Sequence, residues 1–259
     1  MLMYGNIFDT HAHYNDSQFD DDREKLLAEL PSAGICHVIN CGTDIKTSEI
    51  SLSYSEKYPY ISAACGIHPE DCLKENDESF VKLTQLCQHP GCVALGEIGL
   101  DYHYDDIVPR ERQKYFFEKQ LIIAKELDMP VIIHDREAHG DTLELLKKYR
   151  PKGVLHCFSG STEMAEEIIK LGMYIGLGGA VTFKNAKKPV ETAAYVPFDS
   201  LLLETDCPYM SPVPFRGKRN SSALIPYTAE FIAEIKKCEP QFLIDRAAEN
   251  ACELFSVTV

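Results

Sequence analysis

The chain has 259 residues, 45% hydrophobic and 25% charged, a balance that excludes a disordered or low-complexity protein. Its 26 Lys and Arg against 40 Asp and Glu give a formal charge of −14, which argues against a protein that grips duplex nucleic acid through a broad basic face. An enzyme whose bound cations meet a phosphate remains open, because part of the acidity would then be ligand.

No apolar run approaches the roughly 18 residues of a membrane helix, and Met1-Leu2-Met3-Tyr4-Gly5-Asn6 lacks the charged region and cleavage site of a signal peptide. A cytoplasmic protein with no membrane partner is expected. Ten cysteines lack any C-x-x-C pair and several lie in apolar runs (Cys41, Cys65, Cys157), which suits reduced core thiols better than a disulfide frame or a zinc ribbon.

In chain order, short β-branched or apolar runs predict strands at 6–11, 36–42, 60–66, 92–98, 130–135, 153–158, 174–178 and 200–205. Stretches of helical character lie between them, among them 21–30 and 110–128. In the latter Phe117, Leu121, Ala124 and Leu127 share one helical face. Eight strand signals, each followed by a helix signal, predict an α/β fold of the (β/α)₈ TIM-barrel type, one domain over 1–259. A doubly wound sheet is the competitor, but it gathers ligands at one switch point, whereas here candidate ligands follow six different strands. The proline-rich stretch Cys207 to Asn220 predicts a loop at the rim after the eighth strand.

The chemistry begins at Phe8-Asp9-Thr10-His11-Ala12-His13. Alternation along a strand puts His11 and His13 on the same face, a metal-ligand posture that needs further donors. Glu97, His134, His156 and Asp206 stand at the ends of later predicted strands, and a parallel barrel brings such ends to one mouth. Four imidazoles and two carboxylates suit a binuclear site: one cation on His11, His13 and Asp206, the other on His134 and His156, with Glu97 bridging. His134 or His156 alone is better explained as an imidazole satisfied near a strand end. Glu97, inside an apolar run, is costly unless paired or metal-bound. Asp206 would orient and deprotonate the attacking water.

Around these, His68 would reach a substrate oxygen and Arg136 would clamp a phosphate; a turn histidine and a surface ion pair are the plain alternatives. Arg216, Lys218 and Arg219 with Tyr209 form a small basic loop with an aromatic face, suited to phosphates and splayed bases, or else a solvated charge run. Glu204 would position water or protonate the leaving oxygen, an extra metal contact being the other option. His37, His89, His103 and His139 have no matching partners and read as structural. Cys207 adjoins Asp206 as a remote candidate thiolate ligand.

With Gly66-Ile67-His68-Pro69, Gly96-Glu97-Ile98-Gly99-Leu100-Asp101-Tyr102, His134-Asp135-Arg136-Glu137-Ala138, His156-Cys157-Phe158-Ser159-Gly160, Glu204-Thr205-Asp206-Cys207-Pro208-Tyr209 and Pro214-Phe215-Arg216-Gly217-Lys218-Arg219-Asn220 added to the opening motif, the chain resembles the TatD family of metal-dependent deoxyribonucleases within the amidohydrolase superfamily. The resemblance implies a barrel, a divalent-metal site on the six residues above, and roles for His68, Arg136 and Glu204 around substrate. It also implies hydrolysis of DNA phosphodiesters, often from the 3′ end, on single-stranded or damaged DNA. Two cations are expected, Mg²⁺ or Mn²⁺ in function with Zn²⁺ as the alternative, in a monomer. After Asn220 the family pattern continues with Glu-Pro, whereas this chain has Ser221-Ser222-Ala223-Leu224. The rivals are an amide or ester hydrolase built on the same constellation and a non-catalytic barrel that binds a partner.

Overall fold

The computed structural model describes residues 4–259. Eight parallel strands form one sheet in sequence order: β1 (Ile7–Ala12), β2 (Ile35–Cys41), β3 (Ile61–Cys65), β4 (Cys92–Asp101), β5 (Val131–Arg136), β6 (Gly153–Leu155), β7 (Tyr174–Leu177) and β8 (Leu201–Leu203). The sheet meets itself between β8 and β1, where Ala12 bridges Cys207, Asp206 N donates to His11 O at 2.9 Å and His13 N donates to Cys207 O at 2.8 Å. The result is the expected (β/α)₈ barrel. The helices are α1 (Arg23–Glu29), α2 (Ile45–Lys57), α3 (Asp77–Cys87), α4 (Arg110–Glu126), α5 (His139–Tyr149), α6 (Thr162–Lys170), α7 (Lys187–Tyr195), α8 (Ile225–Lys236) and α9 (Pro240–Phe255).

Local chemistry sets several of the boundaries. At α2 the Asp44 carboxylate accepts the Thr47 N–H at 2.7 Å while the Thr47 hydroxyl accepts the Asp44 N–H at 2.9 Å, a reciprocal capping box. Asn76 and Ser79 repeat the device at α3. Strands β6 and β8 are three residues each, shorter than the expected 153–158 and 200–205, because Cys157 (φ 43°) and Asp206 (φ 57°) take the left-handed region soon after each strand ends and turn the chain out of the ladder.

Apolar burial falls into two clusters. Phe8, Ile39, Ala64, Ala94, Ile132, Val154 and Leu202 pack inside the barrel, and Ala248, Ala251 and Phe255 of α9 stop its amino-terminal end. The helices cover the outside through a larger cluster that includes Phe116, Phe117, Leu121 and Ala124 of α4. Burying one such aromatic or aliphatic side chain is worth about 1.5–3 kcal/mol. Two buried amides of α4 depart from this apolar pattern. Gln120 accepts the Ile67 N–H at 2.8 Å and donates to Ile67 O at 3.0 Å, and Gln113 does the same for Asp101 at 2.8 and 2.7 Å. They fix the backbone just before His68 and at the end of β4.

Candidate metal centre

Alternation puts Ile132 and His134 on one face of β5, and Val154 and His156 on one face of the β6 segment, so the layer above the apolar interior is built of imidazoles. The two strands that carry His11 and Glu97 need an adjustment. Ladder irregularities lie between Asp9 and Ala12 in β1 and between Leu95 and Ile98 in β4, and each re-aims a side chain into the mouth. Glycine at 66 makes room for this, since a Cβ there would lie 2.6–2.8 Å from the backbone of Gly96 and Glu97.

Glu97 is 3% exposed and stands at the centre. Its Oε1 lies 2.7 Å from His156 Nε2, 3.0 Å from His134 Nδ1 and 3.6 Å from His68 Nε2, and its Oε2 lies 3.3 Å from His11 Nε2 and 3.4 Å from His13 Nε2. Asp206 Oδ1 is 3.4 Å from His13 Nε2 and 3.7 Å from His11 Nε2. All six residues expected as ligands therefore meet in one place.

Ring nitrogens converge closely: His11 Nε2 and His13 Nε2 are 2.9 Å apart, and His134 Nδ1 and His156 Nε2 are 3.2 Å apart. Donor atoms of His11, His13 and Asp206, of His11, Glu97 and His156, and of His68, Glu97 and His134 lie within 4.8 Å of one another in each group. This donor set fits divalent cations.

The electrostatics agree. Burial opposes charge on His13, but the Asp206 and Glu97 carboxylates outweigh it and push its pKa up to about 10; burial likewise opposes charge on His134, and Asp101 with Glu97 push it up to about 9. Burial works against the ionised Glu97 carboxyl too, yet His156, His11 and His68 hold it well below the usual carboxylate range. Protons on the imidazoles thus occupy the role that a cation fills on binding.

His68 differs from the other imidazoles. Its Nδ1 accepts the Glu70 N–H at 3.2 Å, which leaves the ring proton on Nε2, the atom aimed at Glu97. Burial pushes its pKa down to about 3, so the ring is a neutral donor facing the site.

A cavity of about 1020 Å³ opens over the cluster, lined among others by His68, Glu97, Arg136, Asp206 and Tyr209. The Arg136 guanidinium reaches to 4.0 Å from Asp101 and sits 5.4 Å from the Tyr104 ring. Tyr209 is half exposed, its hydroxyl donating to Asp16 Oδ2 at 2.7 Å. Arg216, Lys218 and Arg219 are not among the lining residues. Arg216 stacks 4.0 Å from the Phe183 ring and Lys218 lies 5.8 Å from Phe215, while Arg219 pairs with both oxygens of Asp22 at 2.8 and 2.6 Å.

Glu204 lies behind His156 and does not line the cavity; its Oε1 accepts the Cys157 N–H at 2.6 Å. Cys207 belongs to none of the donor groups, and burial pushes its thiol up. His37, His89, His103 and His139 pair with Ser62, Glu56, Glu137 and Asp135 respectively, away from the cluster. All ten cysteines are free.

Sequence reasoning left three buried partners unassigned. Asp101 lies 3.0 Å from His134 Nε2; Cys41 meets His11 Nδ1 through its thiol at 3.5 Å and His13 Nδ1 through its carbonyl at 3.0 Å; and Asp9 binds Thr205. The signal for Asp101 was present: an acid four residues after Glu97, at the end of the same apolar run.

Comparison with known proteins gives a consistent picture. The family described as TatD related DNase matches residues 8–256. The chain is 41% identical over 254 residues to the uncharacterized metal-dependent hydrolase YabD of Bacillus subtilis, covering 97% of this chain and 99% of that one. It is 34% identical over 259 residues to the 3′-5′ ssDNA/RNA exonuclease TatD of Cronobacter sakazakii, covering 96% and 97%. The crystal structure of YJJV, a TatD homologue from Escherichia coli, superposes with a TM-score of 0.92 at 34% identity over 98% of this chain and 99% of that one. A TatD-family hydrolase from Entamoeba histolytica, at 22% identity and a TM-score of 0.89, shares the fold.

Proposed function

The chain belongs to the TatD-related DNase family of metal-dependent hydrolases, and from that premise we propose that it is a divalent-metal-dependent deoxyribonuclease that removes nucleotides from the 3′ end of single-stranded or damaged DNA. The observation that carries this reading is the placement of Glu97, whose two oxygens face two different sets of imidazoles, as a carboxylate shared by two cations would. A relative of matching length is named as a 3′-5′ exonuclease on ssDNA and RNA, which supports the substrate class. We assign the first cation to His11, His13 and Asp206 and the second to His134 and His156, with Mg²⁺ or Mn²⁺ as the working ions and Zn²⁺ as an alternative.

Bound cations would supply positive charge that acidifies a water and offsets charge building on the phosphoryl oxygens. The chain's own residues do the rest. Asp206 lines the cavity and is held ionised: burial opposes its charge, but His13 and His11 outweigh it and lower its pKa. It accepts the proton of the attacking water. His68, neutral and with Nε2–H facing the site, donates to a phosphoryl oxygen as negative charge develops there. Arg136 contacts the adjacent phosphate, and the Tyr209 ring provides a face for the terminal base.

No helix among the described residues is long and apolar enough to cross a membrane; a cytoplasmic monomer acting on DNA ends is part of the proposal. The test is a panel of 5′-labelled single-stranded DNA, abasic duplex and RNA, with small amide or ester substrates, each with Mg²⁺, Mn²⁺, Zn²⁺ or EDTA. Stepwise 3′ shortening that EDTA abolishes is expected; DNA left intact with every ion, alongside turnover of an amide or ester, overturns the reading.

A further inference from the structure

Of the imidazoles that face Glu97, the four assigned as ligands are held from behind in two different ways. His134 turns Nδ1 toward Glu97, and its Nε2 lies 3.0 Å from Asp101 Oδ2. Asp101 is 1% exposed and is fixed in turn by the His103 N–H at 2.9 Å. His156 turns Nε2 toward Glu97, and its Nδ1 faces Glu204 Oε1 at 3.7 Å. His156 Nδ1 and Glu204 Oε2 are two of three buried side-chain polar atoms among the described residues without a hydrogen-bond partner.

The fold reserves space for this carboxylate, since a Cβ at Gly176 would lie 2.5 Å from Glu204 Oε2. On the other half, His11 Nδ1 and His13 Nδ1 both meet Cys41, a thiol at 3.5 Å and a carbonyl at 3.0 Å, and the ion-pair contacts of both rings run through Nε2.

We propose that Asp101 and Glu204 are positioning residues that fix the tautomers of His134 and His156 and lend them negative charge. One cation position is then backed by carboxylates and the other by the neutral Cys41. This rests on the two-cation reading above. An acceptor behind a ligating imidazole keeps the proton on the far nitrogen and leaves the near one bare for metal, its negative charge makes that nitrogen more basic, and replacing such a partner typically costs about 10- to 100-fold in metal affinity. The long His156–Glu204 contact closes to a hydrogen bond with a small ring shift, which would pair one of the two orphaned atoms.

The test reads metal and tautomer, not DNA cleavage, so its failure is separate from failure of the nuclease reading. Chelator-stripped protein is titrated with Zn²⁺ against a competing indicator to resolve two dissociation constants. Asp101→Asn and Glu204→Gln, which keep shape and an acceptor oxygen, should weaken one and the same constant by about 10- to 100-fold and leave the other within about threefold; Cys41→Ala should leave that constant alone. Nitrogen-15 histidine spectra of the stripped protein at alkaline pH should show His156 protonated at Nδ1 and His134 at Nε2. Glu204→Ala should abolish the His156 preference and Glu204→Gln restore it. A single constant, equal weakening of both, no weakening of either, or an unchanged tautomer in Glu204→Ala would each overturn the proposal.

Discussion

Asp9 holds Thr205 through both of its oxygens: Oδ1 accepts the Thr205 N–H at 3.0 Å and Oδ2 accepts its hydroxyl at 2.7 Å. Ser222 donates to the same carboxylate at 2.7 Å, and the whole group is buried. Thr205 precedes Asp206, so this junction between β1 and the segment after β8 sets where Asp206 stands over His11. Thr205→Val removes the hydroxyl without changing shape and strips one donor from Asp9, whose carboxyl pKa is pushed up to about 7 by burial; a hydrogen bond of this kind is worth about 0.5–1.5 kcal/mol. Chemical denaturation should show that loss, and turnover should fall with it because Asp206 is less well held. Wild-type stability in the variant would show that the junction does not depend on this bond.

Asp206→Asn keeps the contact distances to His13 but cannot take a proton. Turnover on single-stranded DNA should drop by about 10²- to 10⁴-fold, the usual worth of a positioned base, with the melting temperature little changed. Glu97→Ala should lose bound metal together with activity, read by elemental analysis of the dialysed protein. Undiminished metal in that variant would remove the bridge.

The rim loop supplies a contrast between two residues that sequence alone grouped together. Tyr209 lines the cavity with an exposed ring, so Tyr209→Ala should raise KM, by roughly 1–3 kcal/mol if a base stacks there, and leave kcat nearly unchanged. Arg219 is engaged with Asp22 and lies outside the cavity lining. Arg219→Ala should therefore leave KM alone and cost at most about 1 kcal/mol of stability. Steady-state kinetics on the pair decides whether the base platform is Tyr209 or the basic loop as a whole.

Burial pushes the His37 pKa down to about 4, against an ordinary value of 6.5. Between these values the unfolded chain binds a proton that the folded chain refuses, so stability is complete above about pH 6.5 and declines as the pH falls toward 4. The span corresponds to at most about 3 kcal/mol. His37→Gln should flatten the slope of stability against pH in this window relative to wild type; parallel slopes would mean that His37 titrates normally in the fold.

The barrel was legible because its strands are written as short apolar runs at regular spacing, and because ligand types recur at their ends. His134 and His156 follow from simple alternation after Ile132 and Val154. His11 and Glu97 point into the same mouth only because their strands carry irregularities, and no periodicity announces these; it was the cost of burying a carboxylate that marked Glu97. Gln113 and Gln120 were invisible for a related reason. On a helix their spacing matches a core face, and only the backbone groups of Ile67 and Asp101, contributed by distant strand ends, give them a purpose. The contacts of the basic loop were the least legible, since Arg216 and Arg219 look free in sequence and face Phe183 and Asp22 in space.

Among the described residues, Arg136 and Lys74 are the only Arg or Lys side chains lining the cavity, and Lys74 is already paired with Asp71. A single strand held by one or two such contacts displaces few counterions, so its affinity should change with ionic strength by a logarithmic slope of only about −0.7 to −1.4. On the proposed reading, so little electrostatic hold along the backbone predicts that the strand is released between successive cuts, with many ends in a mixture shortening together instead of one at a time.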